Sequence, residues 1–104
     1  METAYIQSAR IFKAFCDENR LRILEALQSG DQCACVLMEK LGIKQSALSY
    51  HMKILVESGV VESRAVGKWT HYRISEVGCE RAKAQLRQIT ELCPNADGCS
   101  DCAV

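Results

Sequence analysis

The run from Lys44 to Gly59, KQSALSYHMKILVESG, constrains the fold of this chain more than any other stretch. Leu48, Met52, Leu55 and Val56 recur at helical spacing and form an apolar stripe. Gln45, Ser46, Ser49, Tyr50 and Lys53 fall off that stripe and carry hydrogen-bonding groups with no carboxylate among them. Gly59 follows the last turn, where a left-handed cap residue is expected. A helix that hides an apolar face and shows amides, hydroxyls and a lysine has the make-up of a DNA reader. Gln pairs with adenine, hydroxyls with either base class, and lysine neutralises phosphate. Taken alone, the same pattern also suits an ordinary surface helix.

The flanking residues favour the reader. After Gly59, Val60-Val61 and Ala65-Val66 bracket a charged segment, Gly67-Lys68 breaks the chain, and Trp69 to Ile74 alternates. This pattern predicts a β-hairpin with its turn near Val66 to Lys68. Arg64 and Lys68 are its best phosphate contacts, and Trp69 and Tyr72 read as packing residues that support it. Upstream, Asp17 can cap a helix over Glu18 to Leu27, whose apolar set is Leu21, Ile23, Leu24 and Leu27. Ser29-Gly30 ends it, and Asp31 can cap a short helix that runs to Leu41 before Gly42 stops it. A short helix, a turn, a polar-faced helix and a basic hairpin make a winged helix-turn-helix. The expected fold class is therefore mainly α with a small β-hairpin.

Two amphipathic helices remain. Thr3 to Phe15 places Tyr5, Ala9, Phe12 and Cys16 on one stripe, with Ile6 and Phe15 beside it. Ser75 or Glu76 starts the last helix, to about Leu92, with Ala82, Leu86, Ile89 and Cys93 on its stripe. A helix after the wing has little left to cover in its own subunit. Pairing it with the first helix of a second copy would bury both stripes, giving a homodimer whose two readers meet an inverted repeat. The 104 residues suit one domain, expected over 1–93, with a Cys-rich tail over 94–104. No apolar run approaches a membrane span and no signal-peptide pattern opens the chain, so a cytoplasmic location is expected. The formal net charge is zero, but Lys44 to Arg73 holds five cations against Glu57 and Glu62, which puts the positive patch on the proposed reader.

Seven cysteines in a cytoplasmic chain argue for metal or redox chemistry over a disulfide framework. Cys33-Ala34-Cys35 falls just after the Asp31 cap. Residues two apart on a regular helix point about 200° apart, so both sulfurs face one ion only if the first turn is frayed. A helix N-terminus does favour thiolate over thiol. The alternative is a surface thiol at Cys33 and a core residue at Cys35. The tail spacing Cys93-x5-Cys99-x2-Cys102, with Asn95 and Gly98 permitting tight turns, is the second constellation. Its alternative is a set of exposed thiols or a Cys99–Cys102 disulfide. Three thiolates suit pyramidal As(III) or Sb(III), whereas four suit Cd(II), Pb(II) or Zn(II). The tail trio can bind alone, or Cys33 and Cys35 can bind with one tail thiolate, of the same chain or of the partner subunit. Cys16 and Cys79 read as packing residues.

The run Gln45-Ser46-Ala47-Leu48-Ser49-Tyr50-His51-Met52, then Leu55, Ser58-Gly59-Val60-Val61, Arg64, Gly67-Lys68 and Tyr72-Arg73, resembles the ArsR/SmtB family of metal- and metalloid-responsive repressors. The resemblance spans roughly Phe15 to Ser75. The segment Phe15 to Leu24 is similar to the family's opening signature, in which an arginine at the Arg20 position is usual. It implies a homodimer that holds operator DNA and leaves it when an effector ion, here As(III) or Sb(III), binds. His51 stands where the motif has histidine and joins the DNA-contact candidates, with a packing role as its alternative. The segment Asp31 to Met38 looks like the family's arsenic-box region. Arsenic-responsive members carry a third cysteine three residues after Cys-x-Cys; this chain has Met38, whose neutral thioether does not replace a thiolate for As(III). Some zinc-sensing relatives carry Asp, His and Glu ligands on the last helix. The only histidines here are His51 and His71, so that site is absent. The same fold also accommodates a thiol redox or reactive-sulfur sensor. An enzyme is not expected: Cys99–Cys102 lies outside any βαβ pattern, and no nucleophile–base pair or phosphate loop is present. A structural zinc site with ligand-independent DNA binding is a further alternative.

Overall fold

The computed structural model describes residues 3–93. In chain order it contains α1 (Ala4–Lys13), α2 (Glu18–Leu27), β1 (Gln32–Cys33), α3 (Ala34–Leu41), α4 (Gln45–Ser58), β2 (Val61–Val66), β3 (Trp69–Ile74) and α5 (Glu76–Thr90). The strands form one antiparallel sheet in the order β1-β3-β2. This is the expected winged helix-turn-helix, with α3 and α4 as the two helices and β2–β3 as the wing.

Local chemistry sets most boundaries. Asp17 Oδ2 accepts from the backbone N–H of Asn19 and Arg20 at 2.8 and 3.3 Å and so opens α2 where its orphan donors need an acceptor. Gly59, at φ 90°, closes α4 in the left-handed region that a side chain avoids. α1 is shorter than the Thr3 to Phe15 expectation. The N–H groups of Ala14, Phe15 and Cys16 bond three residues back, to Ile11, Phe12 and Lys13, and tighten the chain out of the α-helix. α5 ends at Thr90, two residues before Leu92, and the Thr90 hydroxyl donates back to the Leu86 carbonyl at 2.7 Å.

The start of α3 corrects the expectation. Asp31 does not cap it. Gln32 and Cys33 form a short strand paired with Tyr72 and His71, and the helix begins at Ala34. The Asp31 carboxylate is occupied instead by His71 and Arg64. A cross-strand pairing and hydrogen bonds from a guanidinium and an imidazole outweigh one backbone cap.

The core sits between α2, α3, α4 and the Val60-Val61 step that leads into β2. Ile23, Leu27, Leu37, Leu48, Met52, Leu55, Val60 and Val61 are buried there. Leu48, Met52 and Leu55 are three of the four stripe residues expected on α4; Val56 lies at the rim. The outer faces of α1 and α5 remain uncovered: Tyr5, Ile6, Leu86 and Ile89 are all at least half exposed. Among the described residues, no helix is long and apolar enough to cross a membrane.

Candidate nucleic-acid interface and thiol pair

α4 places Gln45, Ser46, Ser49, Tyr50 and Lys53 on its open face. Gln45, Ser49 and Lys53 are four residues apart and therefore stack in one row; Ser46 and Tyr50 form the row beside it. Arg64 and Lys68 lie exposed on the wing, Lys68 at its tip beside Gly67, whose φ of 62° makes the turn. The reader and the wing thus present amides, hydroxyls and cations to solvent, which is the chemistry that base edges and phosphates accept.

His51 does not belong to that face. It is 7% exposed and its Nδ1 lies 2.9 Å from Nη1 of the equally buried Arg20. The expectation of a base contact at His51 is corrected: position 51 is three residues after Leu48 and four before Leu55, so it turns inward with the apolar stripe.

Arg64 has a second engagement. It faces His71 across the β2–β3 ladder, and both reach Asp31: Arg64 Nη2 donates to Oδ2 at 3.2 Å and His71 Nδ1 donates to Oδ1 at 2.8 Å. The Asp31 carboxylate therefore clasps the wing to the strand that precedes α3. No local pattern in the sequence signals this clasp, because it depends on the register of β1 against β3. The His71 hydrogen bond holds the Asp31 carboxyl below the usual aspartate range; partial burial opposes this and Arg64 assists it. The stabilisation is therefore complete above the unfolded pKa of about 3.9 and is lost as pH falls through the lower folded value. In a carboxyl-carbon NMR titration, Asp31 is expected to titrate below an exposed aspartate and to move upward in His71→Ala. An unmoved midpoint would remove His71 as the cause.

Cys33 and Cys35 converge. Cys33 occupies the N-cap of α3 in extended backbone (φ −70°, ψ 146°), while Cys35 lies in the first turn, and their sulfurs are 2.8 Å apart. The angular objection to a Cys-x-Cys pair holds for a regular helix; Cys33 escapes it because β1 holds it outside the helix. Hydrogen bonding from the Cys35 thiol holds the Cys33 thiol below its ordinary pKa, against burial and the Asp31 charge and with help from the N–H groups of Cys35 and Val36. The same bond, burial and the Cys33 charge push Cys35 up. The first proton to leave the pair is therefore that of Cys33, and Cys35 donates to the resulting thiolate.

The other thiols are apart from this pair. Cys16 is exposed after α1, and Cys79 packs against the core with its thiol raised by burial. Cys93 is the last described residue and its sulfur is in a disulfide, so in this state it offers no thiolate. Cys99 and Cys102 lie outside the described residues. Among the described residues, no three His, Cys, Asp or Glu side chains are grouped to hold a metal ion. Met38, at the place of a third thiol, is partly buried against the core.

A helix-turn-helix with an exposed polar reader, followed by a basic wing, defines a DNA-binding transcriptional regulator of the winged class and not an enzyme. The chain belongs to the ArsR family: the model of bacterial regulatory proteins of that family matches residues 17–63. An uncharacterised HTH-type transcriptional regulator of Methanocaldococcus jannaschii is 37% identical over 89 residues, covering 85% of this chain and 97% of that protein. An arsenical resistance operon repressor of Staphylococcus aureus is 38% identical over 72 residues, or 69% of each chain. The solution structure of a homodimeric winged helix-turn-helix fragment from Mycobacterium bovis, a possible ArsR-family regulator, matches with TM-score 0.67 at 28% identity, over 84% of this chain and 81% of that one.

Proposed function

We propose that the chain is a homodimeric repressor that binds an inverted-repeat operator and is released by a thiophilic ion, As(III) or Sb(III), ligated by Cys33 and Cys35. The observation that carries the reading is the 2.8 Å approach of the two sulfurs where β1 becomes α3. Each ligation replaces an As–OH bond by an As–S bond, and the thiol proton leaves with the hydroxide as water. Inorganic As(III) takes three thiolates, so a third ligand comes from the reduced form of Cys93 or from Cys99 or Cys102, of the same chain or of a second copy. A monosubstituted organoarsenical needs only the pair. The uncovered apolar faces of α1 and α5 support the dimer, because they give a second copy something to bury. Gln45, Ser46, Ser49, Tyr50 and Lys53 are the proposed groove contacts, with Arg64 and Lys68 on phosphates.

Cys33 belongs to two supports at once. It occupies the N-cap position of α3, the helix packed against the reader α4, and it pairs with His71 in the wing. An ion that binds better when Cys33 leaves that position lowers DNA affinity by the same factor. The test is fluorescence anisotropy of reduced protein on a duplex of its own promoter, with As(III), Cd(II), Pb(II), Zn(II) and a polysulfide added in turn. As(III) is expected to weaken binding by about 5- to 150-fold, the usual span of a coupling between sites. Equal affinity with and without every ion would sink the ion reading. Release by Cd(II), Pb(II) or Zn(II) alone would change the ion. Release by polysulfide alone would select the thiol redox reading, which the Cys33 thiolate facing Cys35 also suits. There the polysulfide accepts two electrons, a Cys33–Cys35 bond forms and two thiol protons leave.

A further inference from the structure

The buried face of α4 consists of Leu48, His51, Met52, Ile54, Leu55 and Ser58. Four of these are apolar, and apolar packing is not directional. Ser58 bonds only locally: it donates to the Leu55 carbonyl at 2.6 Å and accepts from the Val60 N–H at 3.3 Å, in the turn that follows α4 and before β2 begins. Among the described residues, His51 is therefore the side chain that ties this face to another element by a directional bond.

Its partners form one node. The Arg20 guanidinium has five donors and no acceptor, so the 2.9 Å contact from Nη1 requires a lone pair on His51 Nδ1. The imidazole is thereby neutral, with its proton on Nε2, which faces Asp17 Oδ2 at 3.8 Å. Arg20 Nη2 donates to the Lys13 carbonyl at 3.1 Å, and Nε has no partner. Asp17 Oδ2 is the oxygen that opens α2. The end of α1, the start of α2 and the middle of α4 thus meet at His51. On the other side, the His51 ring meets Tyr50 edge-on at a centroid separation of 5.2 Å, and Tyr50 stands on the open face.

We propose that Arg20 and His51 are positioning residues for DNA reading: their buried hydrogen bond fixes the rotation of α4 about its axis and holds Tyr50 toward the groove. The inference rests on α4 being the reading helix. It treats the node as a device for binding, beyond its contribution to folding.

The test compares His51→Gln and His51→Leu with the wild type on a labelled duplex of the promoter of this chain's own gene. Gln can still accept from Arg20; Leu fills space and leaves the guanidinium a buried donor short of its acceptor. His51→Leu is expected to bind about tenfold more weakly, and His51→Gln within about threefold of wild type, with cooperative melting kept in both. Nitrogen-15 NMR of the wild-type imidazole, which needs no variant to fold, is expected to show an unprotonated Nδ1 and a protonated Nε2 at neutral pH. Wild-type affinity in His51→Leu, equal losses in Leu and Gln, or the opposite tautomer would each overturn the proposal. A wild type that binds no promoter DNA would overturn the reading of α4 itself, and this inference with it.

Discussion

Gly78→Ala is expected to lower the melting temperature, by up to about 15 °C, although the same change in most helices is stabilising. Alanine exceeds glycine in helix propensity by roughly 1 kcal/mol. Position 78 reverses the sign because the first turn of α5 rests on the backbone that closes α4. A Cβ there would lie 1.7 Å from the Gly59 carbonyl oxygen and 2.6 Å from its carbon. The obstacle is backbone, so no side chain can swing aside. Gly59 is already committed to φ 90°, and the next residues, Val60 and Val61, are buried in the core. The Ser75 N–H also bonds the Val60 carbonyl at 2.9 Å, and the Cys79 thiol reaches the same oxygen at 3.8 Å. Either α5 lifts and loses these bonds, or the corner between α4 and β2 shifts and disturbs the core. Overpacking of this kind costs about 1–3 kcal/mol and sometimes more, which outweighs the propensity gain. At about 4–8 °C per kcal/mol for a chain of this size, calorimetry resolves the loss easily. An unchanged or raised melting temperature would mean that α5 is not seated on Gly59.

Much of this fold was legible because local signals and tertiary packing agree. α2 runs over the residues that the Asp17 cap and its apolar period indicate. α4 ends at the glycine its pattern requires, and the wing turns at Gly67-Lys68 as expected. The failures are places where a side chain had two uses. Asp31 is a good cap by type, but its carboxylate serves Arg64 and His71, and that choice depends on a two-residue strand whose register no periodicity encodes. His51 was legible by spacing, since 48, 51, 52 and 55 form one inward row; its place in the family motif put it among the DNA contacts, and the packing alternative is the one that its burial supports. Its partner Arg20 was not legible, because a buried guanidinium looks like any other helix-surface arginine until α4 is laid over it. The thiol pair was half legible: its chemistry follows from Cys-x-Cys near a helix start, but its convergence needs β1.

Cys33→Ser is expected to separate sensing from folding, with the largest functional effect of any single change proposed for this chain. Serine is a strong N-cap, whereas Cys33 occupies that position of α3 without a side-chain cap bond. The variant should therefore melt at or above the wild-type temperature, with a cap gain of about 0.5–2 kcal/mol. Its affinity for promoter DNA without ion should stay close to wild type, because Cys33 lies away from the open face of α4. Release by As(III), about 5- to 150-fold in the wild type, should vanish, since an alcohol at this position does not ionise and forms no As–S bond. Cys35→Ala should lose release too, and it also removes the hydrogen-bond donor to Cys33. The Cys35 thiol that holds Cys33 low is gone, so iodoacetamide alkylation of Cys33 should shift to higher pH. Cys99→Ser/Cys102→Ser, measured alongside, locates the third ligand. Release lost in all three variants implies one site shared with the tail; release kept in Cys33→Ser and lost only in the tail variant would place the sensor in residues 94–104 and leave the Cys33–Cys35 pair without a role in it.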